Sequence, residues 1–521
     1  MTPPRSPRRT LSRRTFLKGM GGVGLVAALY LGGGEVSYRL RQASWQRVQR
    51  TRRVLTGRIV TFDAVVPVIE DGAVYIDERG VIEAVRSAGA PVPAGYAEAA
   101  HIESGGDIYP GLVDMHNHPY FDLRSLWTPQ RSTPYASRAE WQPDAMLWQN
   151  GGFPDSPIDA YWRFAKEESM KFVELKALAG GVTTLQGLSS ATFGAPFREG
   201  HLLRHVEDEQ RDGRPVASSF VVRPSVADPF ALFRQRMAAG TTVIHHFAEG
   251  RDPDLGREFD ELFDNGCIGP RMIGIHANAL DPARFRRWAS RGGALVWSPQ
   301  SNLWLYGQTT DVAAAKEAGL PICIGPDWSI SGSKNLLGEL KVVDLWNHER
   351  LGRLFTDREI CEMATSVPAD ALGLADRIGR VREGLKADLL VLSHRNSDPY
   401  RNLIEATESD VRLVIADGRP SYGVFEMLRT IPNVSSVSVG SVQRAVVLPD
   451  PTISSSVLGW PDIVSSLERV HGTEELGNSI PFVPHGDVVP LDTFMPDDAY
   501  FRAIADATIP GSLLAGLRTY Y

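Results

Sequence analysis

The chain has 521 residues, of which 43% are hydrophobic and 22% are charged. This length and composition exclude a disordered chain, a fibre and a protein with many membrane spans. The formal net charge of −7 is unevenly distributed: residues 1–53 hold twelve Lys and Arg against one acid, Glu35, a surplus of +11, and the remaining residues carry −18. The net negative charge of residues 54–521 excludes nucleic acid as the main ligand, because phosphate binding requires a basic surface.

The N-terminus joins a basic stretch to a short uncharged one. Residues 12–18 read Ser-Arg-Arg-Thr-Phe-Leu-Lys, and the next sixteen residues, 19–34, are uncharged and include seven glycines. A spanning helix needs about 20 apolar residues, so residues 1–34 are expected to be a secretory signal. The twin arginines resemble the twin-arginine export signal, which implies passage through that machinery, into the periplasm. An uncleaved signal would tether the chain, and the basic linker 35–53 could associate with an anionic membrane surface.

Two β-rich regions flank a long middle section. Short β-branched runs separated by turn residues predict antiparallel strands. These runs begin at Arg58, Gly72, Gly80, Ala387 and Val411. We therefore expect one small β-sandwich domain built from residues 54–106 and 376–425.

The middle section, residues 107–375, alternates apolar runs with helical patterns. A helix is predicted to end at Gly180. The apolar runs begin at Val182, Pro215, Thr242, Met272, Ala294 and Leu320. Such repetition over about 250 residues predicts an α/β fold, most simply a (β/α)8 TIM barrel. Only one strand is evident between Gln186 and Thr241, so one barrel strand is expected to be degenerate. Residues 426–521 show weak periodicity and are interpreted as a C-terminal extension of unknown role.

Histidines and carboxylates follow the ends of the predicted strands. His116 and His118 lie two residues apart, so their side chains share one face of a strand. Later strand ends carry His245, His246, Glu249, His276 and Asp327. Because the C-terminal ends of barrel strands surround one cavity, this pattern predicts an active site that contains a metal ion.

These motifs stand in the order of a known family. They occupy residues 110–118 (Pro-Gly-Leu-Val-Asp-Met-His-Asn-His), 181–184, 246–250, 275–276, 298–303, 325–327 and 384–392. Over residues 54–425 the chain resembles the amidohydrolase superfamily, in the mononuclear branch of cytosine, guanine, S-adenosylhomocysteine and triazine aminohydrolases and chlorohydrolases.

The resemblance implies a single metal ion. His116 and His118 would bind it from strand 1, His246 from strand 5 and Asp327 from strand 8. His246 is preferred over His245 as the ligand, because the spacing His-x-x-Glu then leads to Glu249. Neighbouring strand residues face opposite sides, so His245 is expected outside the cavity. The ligand set suits Zn²⁺, and Fe²⁺ would also fit.

A binuclear site is not favoured. Binuclear members of the superfamily usually bridge two metals with a carboxylated lysine from strand 4. No lysine occurs between Lys176 and Lys316, and only Glu207 or Glu209 could replace one.

The resemblance also assigns the catalytic groups. A metal ion lowers the pKa of its bound water to about 7. Asp327 and His276 would accept the proton and orient the water, and Glu249 would protonate the substrate and then the leaving group. The expected reaction is hydrolysis of a non-peptide carbon–nitrogen bond, most simply the deamination of a heterocyclic small molecule. Hydrolysis of a cyclic or linear amide is the alternative, and a non-catalytic binding protein on this scaffold is less favoured.

The loops around the predicted site are aromatic. Their rings are Tyr120, Phe121, Trp127, Tyr135, Trp141, Trp304, Tyr306 and Trp328. These rings suit a flat heterocycle or pack the loops together, and Arg138 could bind an anionic group. Asn302 is expected to organise its loop, and residues 331–335 to cap a helix. Three cysteines are too few for a disulfide framework, and Cys323 is expected in the core.

Overall fold

The computed structural model describes most of the middle of the chain. The described residues are 51–123, 133–142, 161–162, 164–187, 202–207, 216–219, 228–448 and 459–471. The signal segment 1–34, most of the basic linker, Trp127 and Glu209 lie outside them. Across the described residues, no helix has the length and apolar character required to cross a bilayer.

The first flank of the chain forms four strands. They are β1 (Arg53–Val60), β2 (Val68–Ile76), β3 (Ile82–Ser87) and β4 (Ala100–Pro110). β1 pairs antiparallel with β2 and parallel with β4, and β2 pairs antiparallel with β3. The eleven-residue strand β4 was not predicted. It ends at Pro110, which is the first residue of the first motif of the site.

Eight short parallel strands lie in the described part of the middle section. They are β5 (Leu112–Asp114), β6 (Val182–Leu185), β7 (Arg204–His205), β8 (Val216–Ser219), β9 (Thr242–Phe247), β10 (Met272–His276), β11 (Ala294–Trp297) and β12 (Ile322–Ile324). β5 to β7 form one sheet and β8 to β12 a second, with neighbours in chain order. A parallel bridge between Asn117 and Asp327 joins the ends of β5 and β12.

This α/β arrangement is TIM-barrel-like. The hydrogen bonds of the described residues form two parallel sheets rather than one closed barrel sheet, which differs from the prediction. β7 has only two residues, which is why a single strand was evident between Gln186 and Thr241. A strand this short leaves no alternation of apolar and polar residues to recognise.

Ten helices lie in the described part of the middle section. They are α1 (Arg138–Trp141), α2 (Lys166–Ala179), α3 (Ala231–Ala238), α4 (Gly256–Asp264), α5 (Pro282–Arg291), α6 (Pro299–Tyr306), α7 (Val312–Glu317), α8 (Leu336–Glu349), α9 (Asp357–Glu362) and α10 (Ser366–Leu372). α2 ends before Gly180, as predicted. Asn335 caps α8 by accepting a hydrogen bond from the Gly338 amide at 3.3 Å, which confirms the capping role expected for residues 331–335.

The chain then returns to the first sheet. Its later elements are β13 (Leu389–Ser393), α11 (Pro399–Glu405), β14 (Val411–Ala416), β15 (Arg419–Gly423), α12 (Phe425–Leu428), β16 (Val434–Val439), β17 (Val442–Val447) and α13 (Trp460–His471). The nine flanking strands form one hydrogen-bonded sheet in the order β16-β17-β15-β14-β13-β4-β1-β2-β3. The sheet therefore continues beyond residue 425, and a division into the two packed layers of a sandwich stays a prediction.

A buried apolar cluster lies among the parallel strands. Val113, Ile244, Ile275 and Val296 pack in it together with Cys323 of β12. Cys323 therefore lies in the core, as predicted, and Cys267 and Cys361 are also buried, each with a free thiol. The cluster supports the parallel strands whose C-terminal ends carry the candidate site.

Candidate metal centre and active site

The structure brings together five of the seven residues predicted at the strand ends. Ring nitrogens of His116, His246 and His276 form one group, and His116, His118 and Asp327 form a second. Within each group the candidate ligand atoms lie within 4.8 Å of one another. His116 belongs to both groups and is their common centre.

The distances around His116 are short. Its Nε2 lies 2.9 Å from His246 Nε2, 3.3 Å from His118 Nε2 and 3.1 Å from Asp327 Oδ1. His118 Nε2 lies 3.2 Å from the same Asp327 oxygen. Two further imidazole nitrogens and one carboxylate oxygen thus lie within 3.3 Å of His116 Nε2, and these four atoms are of the types that bind a divalent metal.

The charge states of these groups also suit a cation. Burial lowers the pKa of His116 to about 4, although Asp327 opposes the shift, and burial together with neighbouring imidazoles holds the pKa of His246 well below its usual value. Burial alone would raise the pKa of Asp327, but contacts with His116 and His118 outweigh it and hold the pKa well below the usual range. Neutral imidazoles and an ionised carboxylate are the ligand forms that bind metal.

The backbone at the strand ends is strained. Ala248, His276 and Asp327 adopt positive φ angles of 49°, 67° and 71°. Non-glycine residues avoid this left-handed region, which costs on the order of 1–3 kcal/mol each unless the surroundings impose it. The strained turns direct the side chains of His276 and Asp327 towards the shared cavity.

Two serines hold the metal-binding groups. Ser298 Oγ lies 2.7 Å from His116 Nδ1, and Ser301 Oγ donates to Asp327 Oδ2 at 2.6 Å. Such partners fix the orientation of ligand side chains. Both serines lie in the motif at residues 298–303, but no role was predicted for them.

His276 is oriented by Asn302. His276 Nδ1 lies 2.9 Å from Asn302 Oδ1, so Nδ1 carries the proton and Nε2 is left as an acceptor. That Nε2 lies 3.8 Å from Glu249 Oε2. Asn302 thus acts on a neighbouring side chain, in agreement with the expectation that it organises its loop.

Glu249 is buried and contacts residues of helices α1 and α6. The Tyr306 hydroxyl donates to its Oε1 at 2.6 Å, and an Arg138 guanidinium nitrogen donates to its Oε2 at 3.5 Å. Arg138, which was expected to be available for an anionic group, contacts this carboxylate instead. The partnership between Tyr306 and Glu249 was not predicted.

These groups share a cavity of about 460 Å³. Its lining includes Glu249, His118, His246, His276 and Asp327 together with Arg138, Phe121, Trp141 and Trp328. The Phe121 and Trp141 rings pack edge-on against Trp328, at centroid distances of 5.2 and 5.6 Å. Part of the cavity lining is therefore aromatic.

Three of the other predicted aromatic residues are structural. Tyr120 stacks on Trp162 at 5.2 Å, and Tyr135 and Trp304 are buried outside the cavity lining. His245 is also outside the cavity, since its ring packs edge-on against Phe233 of α3 at 4.9 Å.

Glu207 does not join either metal-binding group among the described residues. It follows β7, the third parallel strand, and accepts a hydrogen bond from the Gly187 amide at 2.9 Å. Glu209 lies outside the described residues.

Comparisons with known proteins identify the family of the chain. The sequence model of the Amidohydrolase family matches residues 243–422, and that of the TAT (twin-arginine translocation) pathway signal sequence matches residues 10–30. A 5-methylthioadenosine/S-adenosylhomocysteine deaminase from Halobacterium salinarum is 32% identical over 418 residues, which cover 71% of this chain and 91% of the relative. An S-triazine hydrolase from Gordonia rubripertincta is 26% identical over 238 residues, 42% of this chain and about half, 48%, of the relative.

The fold has a solved counterpart. The crystal structure of an atrazine chlorohydrolase from Arthrobacter aurescens, complexed with zinc, superimposes with a TM-score of 0.54 at 21% identity, covering 71% of this chain and 94% of the other. This likeness confirms the TIM-barrel-like α/β fold. The chain therefore belongs to the amidohydrolase family, is a hydrolase of that superfamily, and carries a twin-arginine export signal.

Proposed function

We propose that this protein is a metal-dependent hydrolase that cleaves a non-peptide carbon–nitrogen bond, by deamination of a heterocyclic small molecule. One observation carries the proposal: His116, His118, His246 and Asp327 converge on a cavity that also contains Glu249 and His276. The relatives described above include a deaminase and an S-triazine hydrolase, and their names support a hydrolytic reaction of this kind.

His116, His118, His246 and Asp327 would hold one divalent ion, Zn²⁺. The fit rests on the close approach of His116 and His246, whose Nε2 atoms face each other at 2.9 Å. Burial lowers the pKa of both rings, so each presents a neutral imidazole nitrogen of the kind that binds Zn²⁺. A bound Zn²⁺ supplies a water molecule that ionises near neutral pH.

The remaining residues would move protons. His276 Nε2 faces the cavity as an acceptor, because Asn302 occupies Nδ1. Glu249 Oε2, 3.8 Å away, would donate a proton to a ring nitrogen of the substrate and return one to the departing amine. Asp327 and His276 would accept the proton of the attacking water.

The aromatic wall supports a flat substrate. Phe121, Trp141 and Trp328 line the cavity together with the histidines, and Trp328 packs edge-on against His118 at 5.4 Å. A planar heterocycle would stack on these rings and present its exocyclic amine to Glu249. The volume of about 460 Å³ lies in the range of ordinary small-molecule sites.

We propose the periplasm as the destination of the protein. The twin-arginine signal at residues 10–30 supports this proposal, because that pathway exports proteins across the inner membrane. Cell fractionation tests it. Retention of the protein at the membrane would instead indicate an uncleaved signal or association through the basic linker.

The test of function combines metal analysis with assays of ammonia release from purines, pyrimidines, pterins and triazines. We expect one zinc per chain and ammonia from at least one ring class. Glu249→Gln should lower kcat by about 10²–10⁴ and leave the metal content unchanged. Glu83→Gln, an exposed glutamate on β3, is the control and should be fully active.

Three outcomes would overturn parts of the proposal. A new carboxylate without ammonia would indicate amide hydrolysis, and a purified protein that binds no metal would indicate a binding function. A fully active Glu249→Gln enzyme would contradict the role given to Glu249.

A further inference from the structure

A chain of two hydrogen bonds reaches Glu249 through a tyrosine that does not line the cavity. Trp141 Nε1 donates to the Tyr306 hydroxyl at 2.7 Å, and that hydroxyl donates to Glu249 Oε1 at 2.6 Å. Trp141 ends α1, Tyr306 ends α6 and Glu249 follows β9, so the chain links three separate parts of the sequence.

The direction of the chain is determined by its chemistry. An indole N–H can only donate, so the Tyr306 oxygen accepts from Trp141 and its proton points to Glu249. Burial and the charge of Glu249 raise the pKa of Tyr306 well above its usual value, so the hydroxyl keeps this proton at all ordinary pH values. Tyr306 is fully buried and does not line the cavity, so it reaches a substrate only through Glu249.

The hydrogen bond divides the two oxygens of Glu249 between separate tasks. Oε1 is held by Tyr306, and Oε2 lies towards His276 at 3.8 Å and Arg138 at 3.5 Å. A carboxylate that first gives a proton to a substrate and then passes one to a leaving group must keep its position between the two steps. One fixed oxygen prevents the carboxylate from rotating and keeps the other directed at the reacting atoms.

We propose that Tyr306 is a positioning residue for Glu249 and that Trp141 sets the direction of its hydroxyl. This inference rests on the proposed function, because it requires Glu249 to act in proton transfer. The proposal gives Tyr306 and Trp141 a task in addition to substrate stacking or loop packing.

The test is Tyr306→Phe, which removes one hydroxyl and keeps the ring. Loss of a hydrogen bond to a charged group should lower kcat by about 10- to 100-fold, with KM changed by less than about threefold and zinc content unchanged. In the Glu249→Gln background, the same substitution should cause no further loss of kcat. A merely structural role would lower kcat by the same factor in both backgrounds, and that result would overturn the proposal.

Tyr96→Phe is the matched control. Tyr96 is also a buried tyrosine whose hydroxyl lies 2.9 Å from a glutamate, Glu83, but in the flanking sheet. We expect it to leave kcat and KM unchanged. If Tyr306→Phe does not fold, Trp141→Phe provides the second test, with an expected two- to tenfold loss of kcat that also disappears in the Glu249→Gln background.

The two proposals fail separately. Wild-type turnover with an inactive Glu249→Gln variant and an unaffected Tyr306→Phe variant would reject only the positioning role. A fully active Glu249→Gln variant would reject the role of Glu249 in the proposed function first.

Discussion

Asp107 in the flanking sheet and Asp327 at the end of β12 are both buried carboxylates, but their partners differ in kind. Asp107 is matched by polar hydrogen-bonding groups on every side. Arg58 pairs with it through two nitrogens at 2.9 and 2.5 Å. Its other contacts are Tyr109 at 3.2 Å, Asn402 at 3.0 Å and His394 at 3.0 Å. Each charge is balanced within the protein.

Asp327 lies in a cluster that the described protein atoms do not balance. Ser301 donates one hydrogen bond to it, and its other oxygen faces two histidines whose ring nitrogens also face each other. Burial lowers the pKa of His116, and no Lys or Arg side chain is among these contacts. A complete ion pair such as that of Asp107 contributes to stability, whereas a buried carboxylate and imidazoles without such a partner form a candidate binding site for a cation.

Asp327→Asn should have the largest effect on activity. It removes the carboxylate from the donor set, so we expect loss of the bound metal and a decrease in kcat/KM of at least about a thousandfold. Metal analysis and steady-state kinetics check this, and addition of excess zinc should not restore full activity. Normal metal content in this variant would contradict the proposed ligand set.

Ser298→Ala should have an intermediate effect. The His116 ring would lose the group that fixes its orientation through Nδ1, and metal affinity should fall by about 10- to 100-fold. Titration with a competing chelator measures the affinity. In contrast to Asp327→Asn, saturating zinc should restore most of the activity, and an unchanged affinity would show that His116 needs no such support.

Asp107→Asn makes the same exchange in the other cluster and should have the smallest effect on activity. Arg58 would be left as a buried charge without its partner, so the free energy of unfolding should fall by about 3–5 kcal/mol. Denaturant unfolding measures this loss, while metal content and kcat/KM of the folded protein stay within about twofold of wild type. Loss of metal here would mean that the two clusters are not independent.

The strand-end residues could be predicted because parallel α/β folds follow a general rule. The C-terminal ends of the strands surround one cavity, so His116, His246, His276 and Asp327 were expected together before any contact was known. The apolar run at β11, Ala294–Trp297, was predicted with the bounds that the structure has. Strong local periodicity and a known architecture were sufficient for both.

Elements without local periodicity were missed. β4 contains Gly105 and Gly106, and its place in the sheet depends on pairing with β1 and with β13, about 280 residues later. β16 and β17 lie in the region interpreted as an extension without assigned chemistry, yet they complete one edge of the same sheet. Hydrogen bonds between distant strands decided these positions.

The sequence was sufficient to predict which histidines and carboxylates stand at strand ends, and that only one of His245 and His246 faces the cavity, because side chains alternate along a strand. Only the folded chain shows which groups support them. Ser298 meets His116 across 182 positions, Arg138 meets Glu249 across 111 and Tyr306 meets Glu249 across 57. These partners lie in or next to the short helices α1 and α6 between the strands, and packing against distant parts of the chain sets their positions, not any local pattern of residues.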